Sequence, residues 1–400
     1  MTDIELAKSK LKEQGETEIL KEIETLSQSE KEKIAKQINQ INFEEINNLY
    51  KQTKKDNTIK TGNITPIKYI DYWKLSKEEK EKYQKQGEQI IKNNQYAVVT
   101  MAGGQGTRLG WKGPKGTYKL NIGKKEKYIF EILTENIMKA KKMYNILPYW
   151  YIMTSEQNNK ETQEFLEQNN YFGYEKEKVQ FFKQGELPML TEEGKMVLEN
   201  NKIKTGSNGN GGIYSAMKKQ NVIEDMRKKG VKWVYICGVD NIMVNPISPV
   251  LIGATIEKKL EIASKSVAKA YPEEKVGVFC KRNNKPSIVE YIELSEEMRN
   301  QKDAQGELVY GEANILSHLL SLEAIEKIAN HDLQYHIALK KGLYKFESFI
   351  FDGFEYLEDM LVMRVKREDE FAPIKNKEGV DSPETAKKIY ELKEKKDGRA

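Results

Sequence analysis

Histidine and cysteine are scarce in this chain: three and two in 400 residues. Cys237 and Cys280 cannot build a disulfide framework, so a reducing compartment is expected. No Cys/His spacing has the form of a zinc site, and no Gly-x-Ser-x-Gly elbow is present to carry a nucleophilic serine. No window approaches the roughly 18 consecutive apolar residues of a membrane span. The opening MTDIELAKSK has no apolar core of a signal peptide, so a cytoplasmic protein without a membrane partner is expected. An excess of one charge is missing too: 66 basic residues face 61 acidic ones, for a net charge of +5. A nucleic-acid binder would show a clustered basic footprint instead.

What is present is a long, charged, globular sequence, 38% hydrophobic and 32% charged, with material for two or three domains. The first sixty residues are rich in Lys, Glu and Gln, with Leu20, Ile23, Ile34, Ile38 and Ile41 at helical spacing. Ser27 with Glu30, or Ser29 with Glu32, offers a capping box, and Ser76 with Glu79 repeats it. The texture changes near Tyr96. Apolar runs at 97–102, 148–155, 178–182 and 232–240 alternate with helical patterns at 127–144 and 156–168. Nearly continuous apolar runs suit strands buried on both faces, and alternation with helices argues an α/β sheet with crossover connections. Ligands in such sheets sit at the carboxyl ends of strands, where loops 103–116, 183–186 and 238–241 fall. The expected division is a helical region 1–90, a catalytic α/β domain 91–330 and a smaller α+β region 331–400.

The loop after the first run reads MAGGQGTRLGWKGPKG. Gly103, Gly104 and Gly106 permit positive φ and let a ligand approach the main chain, where successive N–H groups make a concave anion site. Arg108 and Lys115 add fixed charge suited to phosphate oxygens. A dinucleotide fingerprint needs a third glycine where Leu109 stands, and a Walker A loop needs Ser or Thr where Gly116 stands. The ligand is expected to be a phosphate ester or nucleotide bound in another way. Asp240, at the end of the run 232–240, can hold a hard cation, and Mg²⁺ keeps only one or two protein carboxylates beside substrate phosphates.

The string MAGGQGTRLGWKGPKG resembles the signature of the eukaryotic-type UDP-N-acetylglucosamine pyrophosphorylases, and later segments resemble the same family in order. These are FFKQGELPML (181–190), SNGNGGIY (207–214), ICGVDN (236–241), IVEYIEL (288–294), EANILSH (312–318), YHIALKK (335–341), FIFDGF (349–354) and REDEFAPIKN (367–376). The sequence departs from the family pattern at Ser207 and Asn208, where Pro-Asp is usual, and at Gly311 and Ala313. The resemblance implies a nucleotidyltransferase A-like, Rossmann-like α/β fold with a mixed, mostly parallel sheet. It implies that Ala102, Gly103, Gly104, Gln105 and Gln184 line the nucleotide, the last two near the base. Gly209, Asn210 and Gly211 would meet base and sugar. Glu290 and Asn314 would hold the sugar, with His336 and Phe351 beside its pocket. Asp240 would bind Mg²⁺, with Mn²⁺ as the alternative, and Lys375 would meet the phosphates.

The implied reaction joins UTP and N-acetylglucosamine 1-phosphate, with Arg108, Lys115 and Lys375 as the catalytic charges. A phosphate monoester is already charged near neutrality, its second pKa lying at about 6, so no protein nucleophile is needed, and positioning and positive charge supply the catalysis. A broader UDP-sugar or UDP-glucose pyrophosphorylase, and a non-catalytic nucleotide-sugar-binding regulator, stay open as alternatives. The expected partners are these small molecules, for a monomer or weak homodimer. His318 lies in an apolar, helical-looking pattern and reads as a structural hydrogen-bonder, His331 as a turn residue, and Phe349 and Phe351 alternate as a strand would.

Overall fold

The computed structural model describes residues 1–54, 62–122 and 125–396. The chain divides into two compact units, each discontinuous in sequence. The smaller comprises Met1–Thr61, Gln184–Gly212 and Leu333–Ile350, the larger Gly62–Lys183, Ile213–Asp332 and Phe351–Ala400.

The smaller unit begins with four helices, α1 (Asp3–Glu13), α2 (Thr17–Thr25), α3 (Gln28–Gln40) and α4 (Phe43–Thr53). Ser27 caps α3 in a capping box with Glu30, the first of the two registers expected. Ala7, Leu11, Ile19, Ile23, Ile34, Ile38, Ile46 and Leu49 are buried together with Leu190, Met196, Ile203 and Phe346. That shared core draws 184–212 and 333–350 to the N-terminal helices, so the unit boundaries differ from those expected at 90 and 330.

The larger unit is built on a sheet of β1 (Ile64–Pro66), β2 (Tyr69–Asp71), β3 (Tyr96–Met101), β4 (Tyr149–Thr154), β5 (Val179–Lys183), β6 (Trp233–Gly238), β7 (Ile262–Ala268), β8 (Val278–Arg282), β9 (Lys285–Val289), β10 (Glu312–Ser321) and β11 (Leu361–Arg364). The order is β2-β11-β7-β10-β6-β3-β4-β5, with β8 joining β1, β9 and β10. Only β10 runs antiparallel to both of its neighbours along that path, β7 and β6. The other neighbouring pairs are parallel, so the sheet is mixed and mostly parallel, as expected. The apolar runs are strands for the reason given: every residue of β3 is buried, and all of β6 except Trp233. Helix α5 (Lys77–Lys92) opens on the Ser76–Glu79 capping box. Helices α6 (Ile129–Tyr144) and α7 (Asn159–Gln168) follow β3 and β4 in the chain.

Two local expectations are corrected. His318 sits in strand β10, not a helix; a short apolar run does not by itself distinguish the two. Its structural role stands, because it is fully buried with Nδ1 2.7 Å from Ser264 Oγ. Phe349 and Phe351 do not alternate along a strand, since Ile350–Tyr356 is a 3₁₀ helix. Gly353 in that helix lies so close to Ile328 and Tyr214 that a Cβ there would come within 2.6 and 3.0 Å of them. His331 is exposed at a bend and stacks on Tyr356 with centroids 4.1 Å apart. Both cysteines are free and buried. Burial pushes each thiol up to about 12, so neither is a reactive thiolate. Among the described residues no helix is long and apolar enough to cross a membrane.

Candidate active site

In the larger unit, parallel pairing sets Gly238 of β6 beside Met101 of β3, and Met101 beside Met153 of β4. Three loops therefore leave the same edge of the sheet at its centre. The first is the glycine loop. Its start is tied back by the Ala102 amide, which donates to the Met153 carbonyl at 2.7 Å. Gly106 N donates to Gly113 O at 2.9 Å and Lys115 N to Gly104 O at 3.0 Å, which closes the loop as a narrow antiparallel turn around Gln105 and Pro114. Trp111 Nε1 donates to Thr117 Oγ1 at 2.9 Å and braces the far side.

Among the described residues, the amides of Gly103, Gly104 and Gln105 donate to no protein group. Three successive free N–H groups at a strand end are donors available to an anion. A Cβ added at Gly104 would meet nothing within 4 Å, so this backbone is open to a ligand. The left-handed φ values expected at Gly103, Gly104 or Gly106 fall instead at Gly110 and Gly113, at +72° and +143°. Gly106 is small for a different reason: a Cβ there would lie 2.7 Å from that of Trp111. Arg108 is exposed and Lys115 half-buried, and among the described residues neither has an ion-pair partner.

Asn158 holds this loop and escaped the sequence reading. Fully buried after β4, it accepts from Ser155 N at 2.8 Å through Oδ1. Its Nδ2 donates to Ala102 O at 2.9 Å and approaches Gly104 O at 3.5 Å. Nothing in the sequence singles out one asparagine in SEQNNKE. Asn158→Ala leaves these groups unpaired in the interior, at a cost of about 1–3 kcal/mol. The variant is expected to lower Tm and to weaken UTP binding by disordering residues 102–104; unchanged values in thermal unfolding and calorimetry would remove the residue from this role.

The second loop carries Asp240. Val239 N donates to Met101 O at 3.1 Å, which fixes it to the end of β3. Asn241 then joins it to 370–374. Its Nδ2 donates to Glu370 O at 2.8 Å, its Oδ1 accepts from Ala372 N at 2.9 Å, and Ile374 N donates to Asp240 O at 2.9 Å. Beneath lies the buried Lys265, whose ammonium meets the Glu370 carboxylate at 2.6 Å and Asn245 O at 3.0 Å; burial lowers its pKa. Lys375 thus follows directly on the residue bonded to Asp240. The segment beyond it reaches the glycine loop, since Lys377 Cδ lies 3.9 Å from where a Gly110 Cβ would be. Asp240 is half-buried, and its carboxylate has no hydrogen-bond or ion-pair partner among the described residues. No group of three His, Cys, Asp or Glu there could hold a metal. One unengaged carboxylate fits a cation held chiefly by substrate phosphates.

The third feature unites Glu290 and Asn314. Asn314 N donates to Gly277 O at 2.9 Å, and a Cβ on Gly277 would stand 3.1 Å from Glu290 Oε1. Gly277, also missed in the sequence, therefore keeps the two side by side. Strand β10 takes four steps, His318 to Asn314, where β7 takes two, Ser264 to Ser266. In the resulting bulge Leu316 takes φ +55° and donates its N–H to Asn314 Oδ1 at 2.9 Å. Leu316 also comes within 2.8 Å of a Gly238 Cβ position, so the bulge abuts the strand end that bears Asp240.

The smaller unit holds Gln184, Gly209, Asn210, Gly211 and His336. Gln184 Nε2 donates to Gly209 O at 2.6 Å and also to Ser207 Oγ. The carbonyl of Asn208 accepts from Ser348 N at 2.8 Å and Ser348 Oγ at 3.2 Å, and Asn210 Oδ1 accepts from Ile350 N at 2.9 Å. Of the two departures from the family's Pro-Asp, Ser207 ties the loop through its hydroxyl, whereas the bonds at Asn208 are made by its backbone. Gly209, at φ +88°, stands where a Cβ would be 2.0 Å from Ser348 O. His336 lies against Phe349 with ring centroids 4.8 Å apart. Phe351 belongs to the larger unit.

Residues 40–395 match the family described as UTP--glucose-1-phosphate uridylyltransferase. The chain belongs to this uridylyltransferase family. UDP-N-acetylglucosamine diphosphorylase 2 of Arabidopsis thaliana is 34% identical over 410 residues, 94% of this chain and 81% of the relative. The UDP-N-acetylglucosamine pyrophosphorylase of Saccharomyces cerevisiae is 33% identical over 419 residues, 94% of this chain and 87% of the relative. Among solved structures, the uridine diphosphate N-acetylglucosamine pyrophosphorylase of Trypanosoma brucei superposes with a TM-score of 0.84 at 29% identity, covering 97% of this chain and 84% of that one. The uridylyltransferase fold expected from the sequence is the fold observed, and small-molecule nucleotide and sugar phosphate substrates go with the family.

Proposed function

We propose that this protein transfers a uridylyl group from UTP to N-acetylglucosamine 1-phosphate, releasing pyrophosphate. An oxygen of the sugar phosphate attacks the α-phosphorus of UTP, a bond from that oxygen to phosphorus forms, and the bond to the β-phosphate oxygen breaks. The attacking group is already anionic, so no proton need be removed by the protein. The task is to hold two anions together and to stabilise the charge of the departing pyrophosphate. The free amides of residues 103–105, with Arg108 and Lys115, receive the β- and γ-phosphates. Lys375 faces the α-phosphate and the sugar phosphate. Glu290 and Asn314 hold sugar hydroxyls. Asp240 would hold Mg²⁺, or Mn²⁺, which neutralises phosphate charge when bound.

The observation that supports this reading is the bond from Ile374 N to Asp240 O at 2.9 Å, which brings the backbone at Lys375 to that of Asp240, the assigned metal carboxylate, at the end of β6. The choice of amino sugar is supported by the relatives: those at 33 and 34% identity act by name on N-acetylglucosamine, while a UDP-glucose pyrophosphorylase of Leishmania major stands at 14% and shares the fold alone. The family's own description names glucose 1-phosphate, so the broader UDP-sugar reading is the alternative. Pyrophosphate release from UTP and Mg²⁺ should be measured with N-acetylglucosamine, N-acetylgalactosamine, glucose and galactose 1-phosphates. The expected result is preference for the N-acetylated sugars. Preference for glucose 1-phosphate would favour the alternative, and UTP binding without release in any arm would leave a non-catalytic binder.

A further inference from the structure

The ammonium of Lys375 is already occupied. It lies 3.2 Å from a carboxylate oxygen of Asp381 and 5.7 Å from the centroid of the Phe371 ring. The Asp381 carbonyl also accepts from Lys375 N at 2.6 Å and from Asn376 N at 3.0 Å, while Asn376 Nδ2 donates to Val380 O at 2.8 Å. Both ends of one aspartate thus serve one lysine, and they close 375–381 into a compact loop. Asp381 adopts φ +56° to do so, a left-handed conformation that aspartate tolerates better than most residues with a Cβ. Helix α8 (Pro383–Lys396) starts immediately afterwards and anchors the loop's exit through Ser382, whose carbonyl accepts from Ala386 N at 3.0 Å.

We propose that Asp381 is a positioning residue for Lys375: its carboxylate holds the ammonium while the phosphate site is empty and yields it to the incoming polyphosphate. The inference rests on the functional reading above. Its sign is fixed by charge. A carboxylate that shares the lysine with a tetra-anionic triphosphate competes with that ligand for the ammonium, so removing the carboxylate strengthens binding. The pair is partly exposed, which limits its strength. Loss of a merely structural residue would weaken binding instead.

Asp381→Asn removes the charge and keeps the backbone, because asparagine tolerates left-handed φ. Asp381→Gly reaches the same φ without strain and serves as an independent second variant. UTP affinity, with Mg²⁺ and without sugar phosphate, should be measured by calorimetry for the wild-type protein, both variants, Lys375→Ala and the double variant Lys375→Ala/Asp381→Asn. Both Asp381 variants are expected to bind UTP about three- to tenfold more tightly. In the Lys375→Ala background the same change should have no effect, the non-additivity that marks direct coupling. Unchanged or weaker binding, or equal tightening without Lys375, overturns the proposal. Failure of the wild-type chain to bind UTP overturns the functional reading itself, a distinct outcome.

Discussion

Lys115→Ala is expected to lower kcat at least a hundredfold and to leave the fold intact. Removal of one preorganised donor at a developing charge commonly costs about 3–4 kcal/mol of transition-state stabilisation, and a departing pyrophosphate is more highly charged than most leaving groups. The fold is spared because the contribution of Lys115 to the loop is its backbone N–H to Gly104 O at 3.0 Å, which alanine keeps. Its side chain is half-buried and has no partner among the described residues, so truncation leaves no buried group unsatisfied. Initial rates of pyrophosphate release, paired with thermal unfolding, check both halves. Near-normal turnover in a clean assay would take Lys115 out of the catalytic set.

Acid is expected to destabilise the protein through His318. The imidazole is fully buried, bonded to Ser264 Oγ at 2.7 Å and flanked edge-on by Phe279 and Phe354. Burial depresses its pKa from 6.5 to about 3. The unfolded chain therefore takes up a proton near pH 6.5 that the folded chain refuses until about pH 3. Stability falls as pH drops through that window, by about 1.4 kcal/mol per unit. Urea unfolding of the wild-type protein and of His318→Asn, which keeps a polar partner for Ser264 but cannot titrate, measures the effect. Between pH 6.5 and 4.5 the wild type should lose about 2–3 kcal/mol more than the variant. Equal losses would place the acid sensitivity elsewhere.

Strands β3, β4 and β6 were legible because they are buried on both faces, and 97–102, 148–155 and 232–240 therefore carry nearly continuous apolar runs, while β5 at the end of the sheet is only partly buried. The capping boxes at Ser27 and Ser76 were legible because each is a local pattern of two side chains. Pairings across long stretches of chain were not. Leu190, Ile203 and Phe346 look like ordinary apolar residues of separate segments, and only the folded core shows them beside Ile34 and Ile38. Period alone also misled at Phe349 and Phe351, where the close approach of Gly353 to Tyr214 and Ile328 goes with a 3₁₀ turn.

The residues of the site divide in the same way. Arg108, Lys115 and Asp240 announced themselves because charged groups beside glycines or at the end of an apolar run need a chemical reason, whereas Lys375 was marked only by the resemblance of REDEFAPIKN. The supporting residues carried no such mark. Asn158 is one of many asparagines until its bonds to Ala102 and Ser155 are seen. Gly277 matters only for the two side chains it admits, and Asp381 only for the lysine it holds. In the glycine loop the left-handed turns lie at Gly110 and Gly113, beyond the free amides rather than among them.

The central claim is that the amides of residues 103–105, Lys115 and Lys375 serve a single triphosphate. A crystal structure of the protein with UTP and Mg²⁺ tests it directly. The account predicts triphosphate oxygens within hydrogen-bond reach of those amides and of both ammonium groups, with Lys375 drawn away from Asp381. A triphosphate bound elsewhere, or one that leaves Lys375 paired with Asp381, would contradict it.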